Sequence, residues 1–301
     1  MTSKKAYVVT GPTNGAGRAA ALMLARYGTV ILVGRDAAKL ADVRDIIEHN
    51  KRRRAICVVC DLSEIASARR AAAEITALQL PIAGLLNNAG VQNPSVTKTA
   101  AGLDMTFVTN HLGPFALTEA LVPHLQDGAK ILFVASATED PERQPAKGAG
   151  FRGGRYISAE ASARGEWVPG GSARPGFDAY ATSKQCNIVT AMALARENPR
   201  LHFNAVEPGV MFNTGLHGSG GLGLTLMRLI VPVLAPFVKF LSTPRRAARV
   251  FTKILTDKSG QTGVYYDEAG HPMQGSPLVR DPAFAARVVA ETRAWLVARP
   301  D

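Results

Sequence analysis

The chain has 301 residues, of which 47% are hydrophobic, and it carries a formal net charge of +11. A sequence of this length and composition can bury a large core, so global disorder is excluded. Its three cysteines, Cys57, Cys60 and Cys186, are too few for a disulfide framework, and we expect a protein of the reducing cytoplasm.

Short apolar runs alternate with helical stretches along the chain. Strands are predicted at residues 6–9, 29–33, 55–59, 82–86, 130–135, 201–206 and 263–266. Helices are predicted at residues 18–27, 37–48, 63–78 and 103–125, and in the run that begins at Tyr180 and ends near Asn198. This order predicts an α/β fold with one Rossmann-like, doubly wound parallel sheet flanked by helices, in a single domain over 1–301. Ligands of such folds bind beyond the carboxyl ends of the strands.

Two segments interrupt this alternation. Residues 139–176 are rich in Gly, Pro and Arg, and we expect an insertion rather than a separate domain. Residues 215–243 are Gly-rich and then apolar, and we expect a substrate lid, with ordinary core or a subunit interface as alternatives. Because two prolines, Arg228 and Lys239 interrupt the apolar run 222–241, no transmembrane segment is predicted, while peripheral membrane contact stays open.

Neither the positive charge nor the cysteines indicate a specific site. The densest basic run, residues 51–54, occupies a predicted turn without aromatic neighbours, so we expect a solvated turn and no specific nucleic-acid binding. Cys57 and Cys60 have CxxC spacing but lie in a predicted buried strand. The histidines lack metal-ligand spacing, and no catalytic metal is expected.

A glycine-rich turn directly follows the first predicted strand. Glycines let the backbone approach a pyrophosphate closely, and the N-terminus of the following helix offers free N–H groups. Between a strand and a helix of a βαβ unit, this turn predicts nucleotide binding. The candidate contacts are Gly11, Thr13, Asn14, Gly15, Ala16 and Gly17.

The second predicted strand ends at Gly34, where dinucleotide folds commonly carry an acid that binds the ribose hydroxyls. Arg35 follows it and can accommodate a 2′-phosphate. This pattern favours NADP(H) as the cofactor. The alternative is an exposed arginine paired with Asp36 or another surface acid.

Tyr180 and Lys184 are four residues apart in a run of helix formers, so one helix face would carry both side chains. A nearby ammonium favours the phenolate, which makes such a tyrosine a better proton donor and acceptor near neutral pH. A tyrosine four residues before a lysine also arises often by chance. The pair is a catalytic candidate only if other parts of the chain form a binding site around it.

The order of these motifs resembles the classical short-chain dehydrogenase/reductase family. The turn matches its TGxxxGxG pattern, residues 87–90 its NNAG motif, and Tyr180 with Lys184 its YxxxK motif. Asn110 and Ser136 fall at the family's helix asparagine and strand-end serine. The family pattern adds further cofactor contacts: Asp61, Leu62, Asn88, Ala89, Gly90, Pro208, Gly209, Val210 and Thr214.

The resemblance implies a catalytic role for four residues. Tyr180 would exchange a proton with the substrate oxygen, and Lys184 would lower the proton affinity of the phenol and bind the nicotinamide ribose. Ser136 would hold the carbonyl oxygen, with Thr138 as a competing hydroxyl, and Asn110 would support a water chain to Lys184. Structural alternatives are a strand-end cap for Ser136 and a helix-kink partner for Asn110.

The substrate is expected to be a small lipophilic carbonyl compound or alcohol with a bulky apolar body. The 44-residue separation of Ser136 from Tyr180 places the insertion at the mouth of the site. Residues 183–187, the insertion and the strand at 263–266 resemble the retinol dehydrogenase and protochlorophyllide reductase branch, whose members handle large apolar substrates. Carbonyl reduction is the first expectation, and C=C reduction or a non-catalytic NADP-binding regulator are the alternatives. Homo-oligomers are usual in the family.

Overall fold

The computed structural model describes residues 5–50, 53–211 and 240–299. Seven parallel strands form one sheet in the order β3-β2-β1-β4-β5-β6-β7. The strands are β1 (Ala6–Thr10), β2 (Thr29–Gly34), β3 (Ala55–Val59), β4 (Ile82–Asn87), β5 (Lys130–Val134), β6 (His202–Val206) and β7 (Val264–Tyr266). The order reverses between β1 and β4, which is where ligands of doubly wound sheets bind.

Ten α-helical segments are described. They are α1 (Gly15–Leu24), α2 (Ala37–Glu48), α3 (Ile65–Ala77), α4 (Met105–Phe107), α5 (Gly113–Leu121), α6 (Gln144–Gly148), α7 (Ala159–Arg164), α8 (Pro175–Glu197), α9 (Pro244–Thr256) and α10 (Pro282–Val297). In the described part of the chain no helix is long and apolar enough to cross a membrane.

Helices cover both faces of the sheet because side chains alternate between the faces along each strand. On one face, Val9 and Leu32 pack with residues of α1, α2 and α9. On the other, Val8, Ile31 and Phe133 pack with residues of α3, α5, α8 and α10. The predicted fold class, one Rossmann-like doubly wound parallel sheet, is confirmed.

Three predicted helices differ from the structure, one of which is α8, since it begins at Pro175 rather than at Tyr180. Helix α1 begins at Gly15 rather than at Arg18, because the side chain of Asn14 accepts a hydrogen bond from the Gly15 amide and caps the helix. The predicted helix at 103–125 is interrupted by a π-helical turn, Val108–Leu112, between α4 and α5. This turn contains Asn110, and π-bulges inside helices often mark functional positions.

The expected insertion, residues 139–176, includes helices α6 and α7 and is anchored on the longer helices. The Arg155 amide donates to the Thr182 hydroxyl of α8 at 2.8 Å. The Tyr156 hydroxyl donates to the Glu291 carboxylate of α10, also at 2.8 Å. The insertion therefore packs around the helix that carries Tyr180. Most of the expected lid at 215–243, namely residues 215–239, lies outside the described residues.

Candidate active site

The ends of β1 and β4 are tied together by Thr10 and Asn88. The Thr10 hydroxyl accepts hydrogen bonds from the backbone amides of Asn88 and Ala89, both at 3.0 Å, and donates to the Leu86 carbonyl at 3.2 Å. The Asn88 amide group donates to the Thr10 carbonyl at 3.0 Å. These bonds fix the turn after β1 against the loop after β4, so two walls of the cavity between them keep their spacing.

The glycines of the first turn are required by geometry. Gly11 and Gly15 have positive φ angles of +65° and +54°, which residues with a side chain rarely adopt. A Cβ on Gly17 would lie 2.3 Å from the Gly11 carbonyl oxygen and 2.4 Å from Nδ2 of Asn88. The bare backbone and the N-terminus of α1 at this turn fit a pyrophosphate group.

We predict that Gly17→Ala disrupts this turn. Because the methyl group would collide with a backbone carbonyl, the turn must open, and NADPH binding should weaken by at least about tenfold. Fluorescence titration with NADPH measures the Kd. Gly148→Ala is the matched control, since a Cβ on Gly148 meets no atom within 4 Å. An unchanged NADPH Kd in Gly17→Ala would contradict the assignment of the turn.

Arg35 lines the same cavity, next to Asp36 and Lys39. Asp36 is engaged elsewhere, because its carboxylate caps α2 through the Lys39 amide and forms an ion pair with the Lys39 ammonium at 2.9 Å. Within the described ranges, Arg35 has no hydrogen-bond or ion-pair partner on its exposed guanidinium. The structure therefore shows no ion pair between Arg35 and Asp36, which was the alternative interpretation of Arg35.

Tyr180, Lys184 and Ser136 meet beyond the ends of β5 and β6. Lys184 is buried, and its ammonium donates to the Val134 carbonyl at 2.8 Å and lies 5.5 Å from the centroid of the Tyr180 ring. Ser136 follows β5; its hydroxyl accepts from the Thr138 amide at 3.3 Å and lies close enough to Tyr180 to lower the pKa of the phenol. Ser136 is thus both a neighbour of the phenol and a cap of the following turn.

Burial shifts the pKa values of the Tyr180 phenol and the Lys184 ammonium in opposite directions. Burial raises the pKa of Tyr180 to about 12, although the Ser136 hydrogen bond opposes this rise; the Glu207 charge raises it further. Burial lowers the pKa of Lys184 to about 8. The lowering of the Tyr180 pKa by Lys184, which we expected from the sequence, is not among these effects. At neutral pH the phenol is protonated, which is the form that can give a proton to a carbonyl oxygen.

Asn110 is held by its neighbours rather than pointing freely into the cavity. Its side-chain oxygen accepts from the Val91 amide at 2.7 Å, and its amide group donates to the Val91 carbonyl at 2.9 Å and to the Ser183 hydroxyl at 3.2 Å. Its backbone carbonyl accepts from the Asn187 amide group at 3.0 Å. The Asn110 side chain thus ties the π-helical turn to Val91 and to Ser183 of α8.

Most predicted cofactor contacts line one cavity of about 340 Å³. They are Gly11, Thr13, Asn14, Gly15, Ala16, Gly17, Arg35, Asp61, Leu62, Asn88, Ala89, Gly90, Tyr180, Lys184 and Pro208. Gly209 and Val210 are not among its described lining residues, and the Val210 amide donates to the Phe240 carbonyl at 2.8 Å. The predicted contact Thr214 lies outside the described residues.

A buried charged cluster beside the site escaped the sequence analysis. Glu207, directly after β6, forms an ion pair with Arg143 of the insertion at 3.2 Å, and its side chain is 7% exposed. Glu139 is also buried and accepts hydrogen bonds from the amide and the hydroxyl of Ser276. Because Glu207 directly precedes Pro208, its position near the site could be inferred from the sequence. Its partner Arg143 could not, since it lies in a distant segment of the chain.

Apolar side chains of the insertion also reach Tyr180. Phe151 stacks on Phe177, with ring centroids 4.2 Å apart and an interplanar angle of 7°. The Phe151 ring centroid lies 6.1 Å from that of Tyr180. Together with Ala146 and Ala181, these rings form a small apolar cluster around the tyrosine.

We predict that Glu207 makes the stability of the protein depend on pH. Burial raises the pKa of Glu207 from 4.5 to about 7, which Arg143 opposes and neighbouring acids reinforce. Between pH 4.5 and about pH 7, Glu207 is protonated in the folded protein and ionised in the unfolded chain. The folded protein therefore binds more protons, and its stability falls as the pH rises through this range. Relative to Glu207→Gln, the wild type should lose about 1–3 kcal/mol of unfolding free energy between pH 5 and pH 8.

Urea unfolding of both proteins at several pH values measures this change. Glu166→Gln is the control, because Glu166 is an exposed acid whose pKa is lowered by Arg164. Its difference from the wild type should stay constant over this pH range. A pH-independent difference for Glu207→Gln as well would show that Glu207 does not titrate as inferred.

Comparisons with known proteins agree with this geometry. The sequence model of a family described as short chain dehydrogenase matches residues 5–146. A protochlorophyllide reductase from Avena sativa is 28% identical over 317 residues, which span 93% of this chain and 96% of that protein. A candidate daunorubicin C-13 ketoreductase from Streptomyces sp. (strain C5) is 32% identical over 203 residues, which span 67% of this chain and 64% of that protein.

A solved structure is similar as well. It is a short-chain dehydrogenase from Shigella flexneri 2a str. 301 complexed with NADP, which is 26% identical in sequence and has a TM-score of 0.61. The superposition covers 88% of this chain and 97% of that one.

Proposed function

Because the chain belongs to the short-chain dehydrogenase/reductase family and is therefore an NAD(P)-dependent oxidoreductase, we propose that it transfers a hydride between NADP(H) and a bulky lipophilic ketone or aldehyde, or the corresponding alcohol. The observation that carries this proposal is one cavity lined by the glycine-rich turn at one end and by Tyr180 and Lys184 at the other. A nucleotide-binding protein without turnover has no chemical use for a buried tyrosine paired with Ser136.

The residues of the cavity fit NADP(H). The glycine-rich turn and the N-terminus of α1 would hold the pyrophosphate, and Asp61 with Leu62 would border the adenine. Arg35 would bind the 2′-phosphate, since its guanidinium is exposed and unpaired in the part of the chain that the structure describes. The similar Shigella structure complexed with NADP supports this choice over NAD.

The acid–base chemistry follows from the protonation states. When bound, NADPH supplies the hydride. Tyr180 gives its proton to the substrate oxygen, while the Ser136 hydroxyl holds that oxygen in place. Lys184, whose ammonium lies 5.5 Å from the centroid of the Tyr180 ring, would bind the nicotinamide ribose beside the phenol. Oxidation of the alcohol is the reverse sequence, and the cofactor ratio sets the direction.

A bulky apolar substrate is supported by the surroundings of Tyr180. The stacked rings of Phe151 and Phe177 are buried beside the phenol and make its surroundings apolar, and apolar surroundings with few polar groups are typical of ligand pockets. Two relatives are named for large molecules, protochlorophyllide and daunorubicin. The first of these names also favours a second candidate reaction, the reduction of a C=C bond.

Steady-state oxidation of NADPH tests the proposal. The purified protein is assayed with aromatic and polycyclic ketones and aldehydes, with matching alcohols, and with conjugated alkenes that lack a carbonyl. Saturable turnover on carbonyl compounds supports the proposal, and turnover on the alkenes alone favours C=C reduction. Saturable NADPH binding without turnover on any compound would favour a regulatory protein.

A further inference from the structure

A groove of about 600 Å³ runs along the outer face of helix α1, on the side of the sheet that also carries α2 and α9. Four arginines line this basic groove: Arg18 on α1, Arg26 just after it, Arg53 before β3, and Arg245 at the start of α9. Its described lining residues include no acid. Of the described lining residues, only Asn14 and Gly15 border both the groove and the cofactor cavity, so the four arginines take no part in the hydride-transfer site.

The positive charge of the basic groove is not neutralised by nearby acids. Within the described ranges, the four guanidinium groups have no hydrogen-bond or ion-pair partner. Helices α1 and α9 pack against each other, and neither contains an aspartate or a glutamate. Neighbouring charges of one sign repel each other, so this surface is complementary to an anionic partner.

The acids of α2 lie beside the groove rather than in it. Asp42 and Asp45 line a neighbouring recess together with Arg18 and Lys39. Asp45 is already engaged by Arg44 at 2.8 Å. These acids therefore offset part of the charge at Arg18 and leave the other three arginines of the groove unaffected.

The arginines are distributed along the groove. Helices that connect parallel strands run back from the carboxyl edge of the sheet to its amino edge. Arg18 and Arg245 lie in the first turns of α1 and α9, at the carboxyl edge, whereas Arg26 precedes β2 and Arg53 precedes β3, at the amino edge. Arg18 and Arg26 are eight residues apart, or about 12 Å along the helix axis. This distribution fits an extended anionic surface better than a single small anion.

The floor of the groove between these two ends is apolar. It is formed by Ala19, Leu22, Met23, Ile46 and Pro244. Ile46 is 47% exposed, and Tyr27, next to Arg26, is 54% exposed. Tyrosine, with an apolar ring and a polar hydroxyl, is typical of the boundary between membrane and water. Arginines combined with exposed apolar side chains are typical of surfaces that bind acidic membranes.

Nucleic acid is another polyanion that this charge could attract. Single strands bind to aromatic side chains on which their bases stack, and the described lining of the groove contains no aromatic residue. Side chains that read a duplex stand on a helix or ribbon that enters a groove of the DNA, whereas these arginines line a recess of the protein. The exposed Tyr27 and Ile46 therefore favour a membrane over a nucleic acid.

We propose that the basic groove, with Tyr27 and Ile46, is the surface by which the protein binds membranes that contain acidic phospholipids. The lipid phosphates pair with the arginines, and the two exposed side chains enter the headgroup region. Binding at this surface brings the cofactor cavity close to the phase into which lipophilic molecules partition. The proposal goes beyond the proposed function and does not depend on it, since membrane binding requires no turnover.

Co-sedimentation with vesicles tests the proposal. The purified protein is mixed at low salt with vesicles of equal parts phosphatidylglycerol and phosphatidylcholine, or with vesicles of phosphatidylcholine alone. We expect binding to the acidic vesicles only, and weaker binding at high salt, because salt screens exposed charges. Equal binding to both kinds of vesicle, or no binding to the acidic ones, would overturn the proposal.

The double variant Arg26→Gln/Arg53→Gln locates the surface. Each arginine near an acidic membrane strengthens binding by about fivefold, so the partition coefficient should fall about 25-fold. The matched control is Arg70→Gln/Arg196→Gln, which removes two exposed arginines from α3 and α8, on the opposite face of the sheet. Its partition coefficient should stay within about twofold of the wild type, and thermal unfolding shows that both variants are folded. Equal losses in the two variants would mean that net charge alone drives binding, which contradicts the proposal.

Tyr27→Trp reports whether this face contacts lipid. Its emission, after subtraction of the wild-type signal from Trp167 and Trp295, should shift to the blue when acidic vesicles are added. Val297→Trp is the control, because Val297 is 78% exposed at the end of α10, on the opposite face, and should show no shift. A shift at position 297 without one at position 27 would place the membrane contact elsewhere and overturn the proposal.

A DNA duplex of arbitrary sequence distinguishes a membrane surface from a general polyanion site. Binding to acidic vesicles but not to the duplex at the same salt supports the proposal. Equally tight binding to both, with no change in the emission of Tyr27→Trp on addition of vesicles, would show that the groove attracts any polyanion, and the membrane assignment would be wrong. A protein that binds acidic vesicles but turns over no carbonyl compound would refute the proposed function and leave this proposal standing.

Discussion

Replacing Tyr180 by phenylalanine is expected to lower kcat for carbonyl reduction by about a thousandfold or more, because the group that we assign as proton donor to the substrate oxygen would be lost. The NADPH Kd should change less than about twofold, since the phenyl ring keeps the packing against Phe151 and the contact with Lys184. Steady-state kinetics and fluorescence titration measure the two quantities separately.

Tyr266→Phe is the control for this substitution. Tyr266 lies on the edge strand β7, and its hydroxyl donates to the Gln261 side chain at 2.8 Å. Loss of the Tyr266 hydroxyl removes one hydrogen bond, and this bond is not at the cavity. The kcat of Tyr266→Phe should therefore stay within about twofold of the wild type. If Tyr180→Phe retained a tenth of the wild-type kcat, another group would have to supply the proton, and Ser136 and Thr138 would be the first candidates.

Arg35→Ala is expected to lower kcat/KM with NADPH about 10- to 100-fold and to leave kcat/KM with NADH nearly unchanged. A charge-assisted hydrogen bond to a phosphate is worth about 1.5–3 kcal/mol, and only NADPH carries the 2′-phosphate that this bond needs. The ratio of the two efficiencies, measured with one substrate under the same conditions, is the readout.

Arg44→Ala is the control for charge alone. Arg44 lies on α2 and forms an exposed ion pair with Asp45 at 2.8 Å, away from the described lining of the cavity. Its removal takes away one positive charge without touching the cofactor, so the selectivity for NADPH should be preserved. An Arg35→Ala protein with full NADPH selectivity, or a wild type that prefers NADH, would contradict the assignment of Arg35.

The sequence was sufficient for the fold and for the contacts made by neighbouring residues. Apolar runs of strand length alternating with helices predicted the parallel sheet, which is confirmed. The glycine-rich turn could be located because its glycines are required by the local backbone, and the positive φ angles of Gly11 and Gly15 show that requirement. The predicted start of α1 was three residues late because the Asn14 cap was not recognised.

Features that depend on distant residues could not be predicted. The π-helical turn at Asn110 could not be predicted from hydrophobic periodicity. The turn is associated with hydrogen bonds that Asn110 forms with Val91 and Asn187, which are distant in the sequence. Likewise, the pKa of Tyr180 depends on burial, which outweighs the effect expected from Lys184 four residues away. The spacing of two residues along a helix determines that their side chains share one helix face. It does not determine how polar or how buried the environment of that face is.

The sequence by itself therefore determined the order of strands and helices, the glycine-rich turn and the spacing of Tyr180 and Lys184, because these depend on local backbone geometry and periodicity. Only the tertiary structure decided that Arg35 has no partner among the described residues, that Arg143 of the insertion meets Glu207, and that His111 and Asn187 reach Asn110. Such contacts join segments far apart in the chain, and their strength depends on exclusion of water, which arises only when the sheet and its two layers of helices pack together.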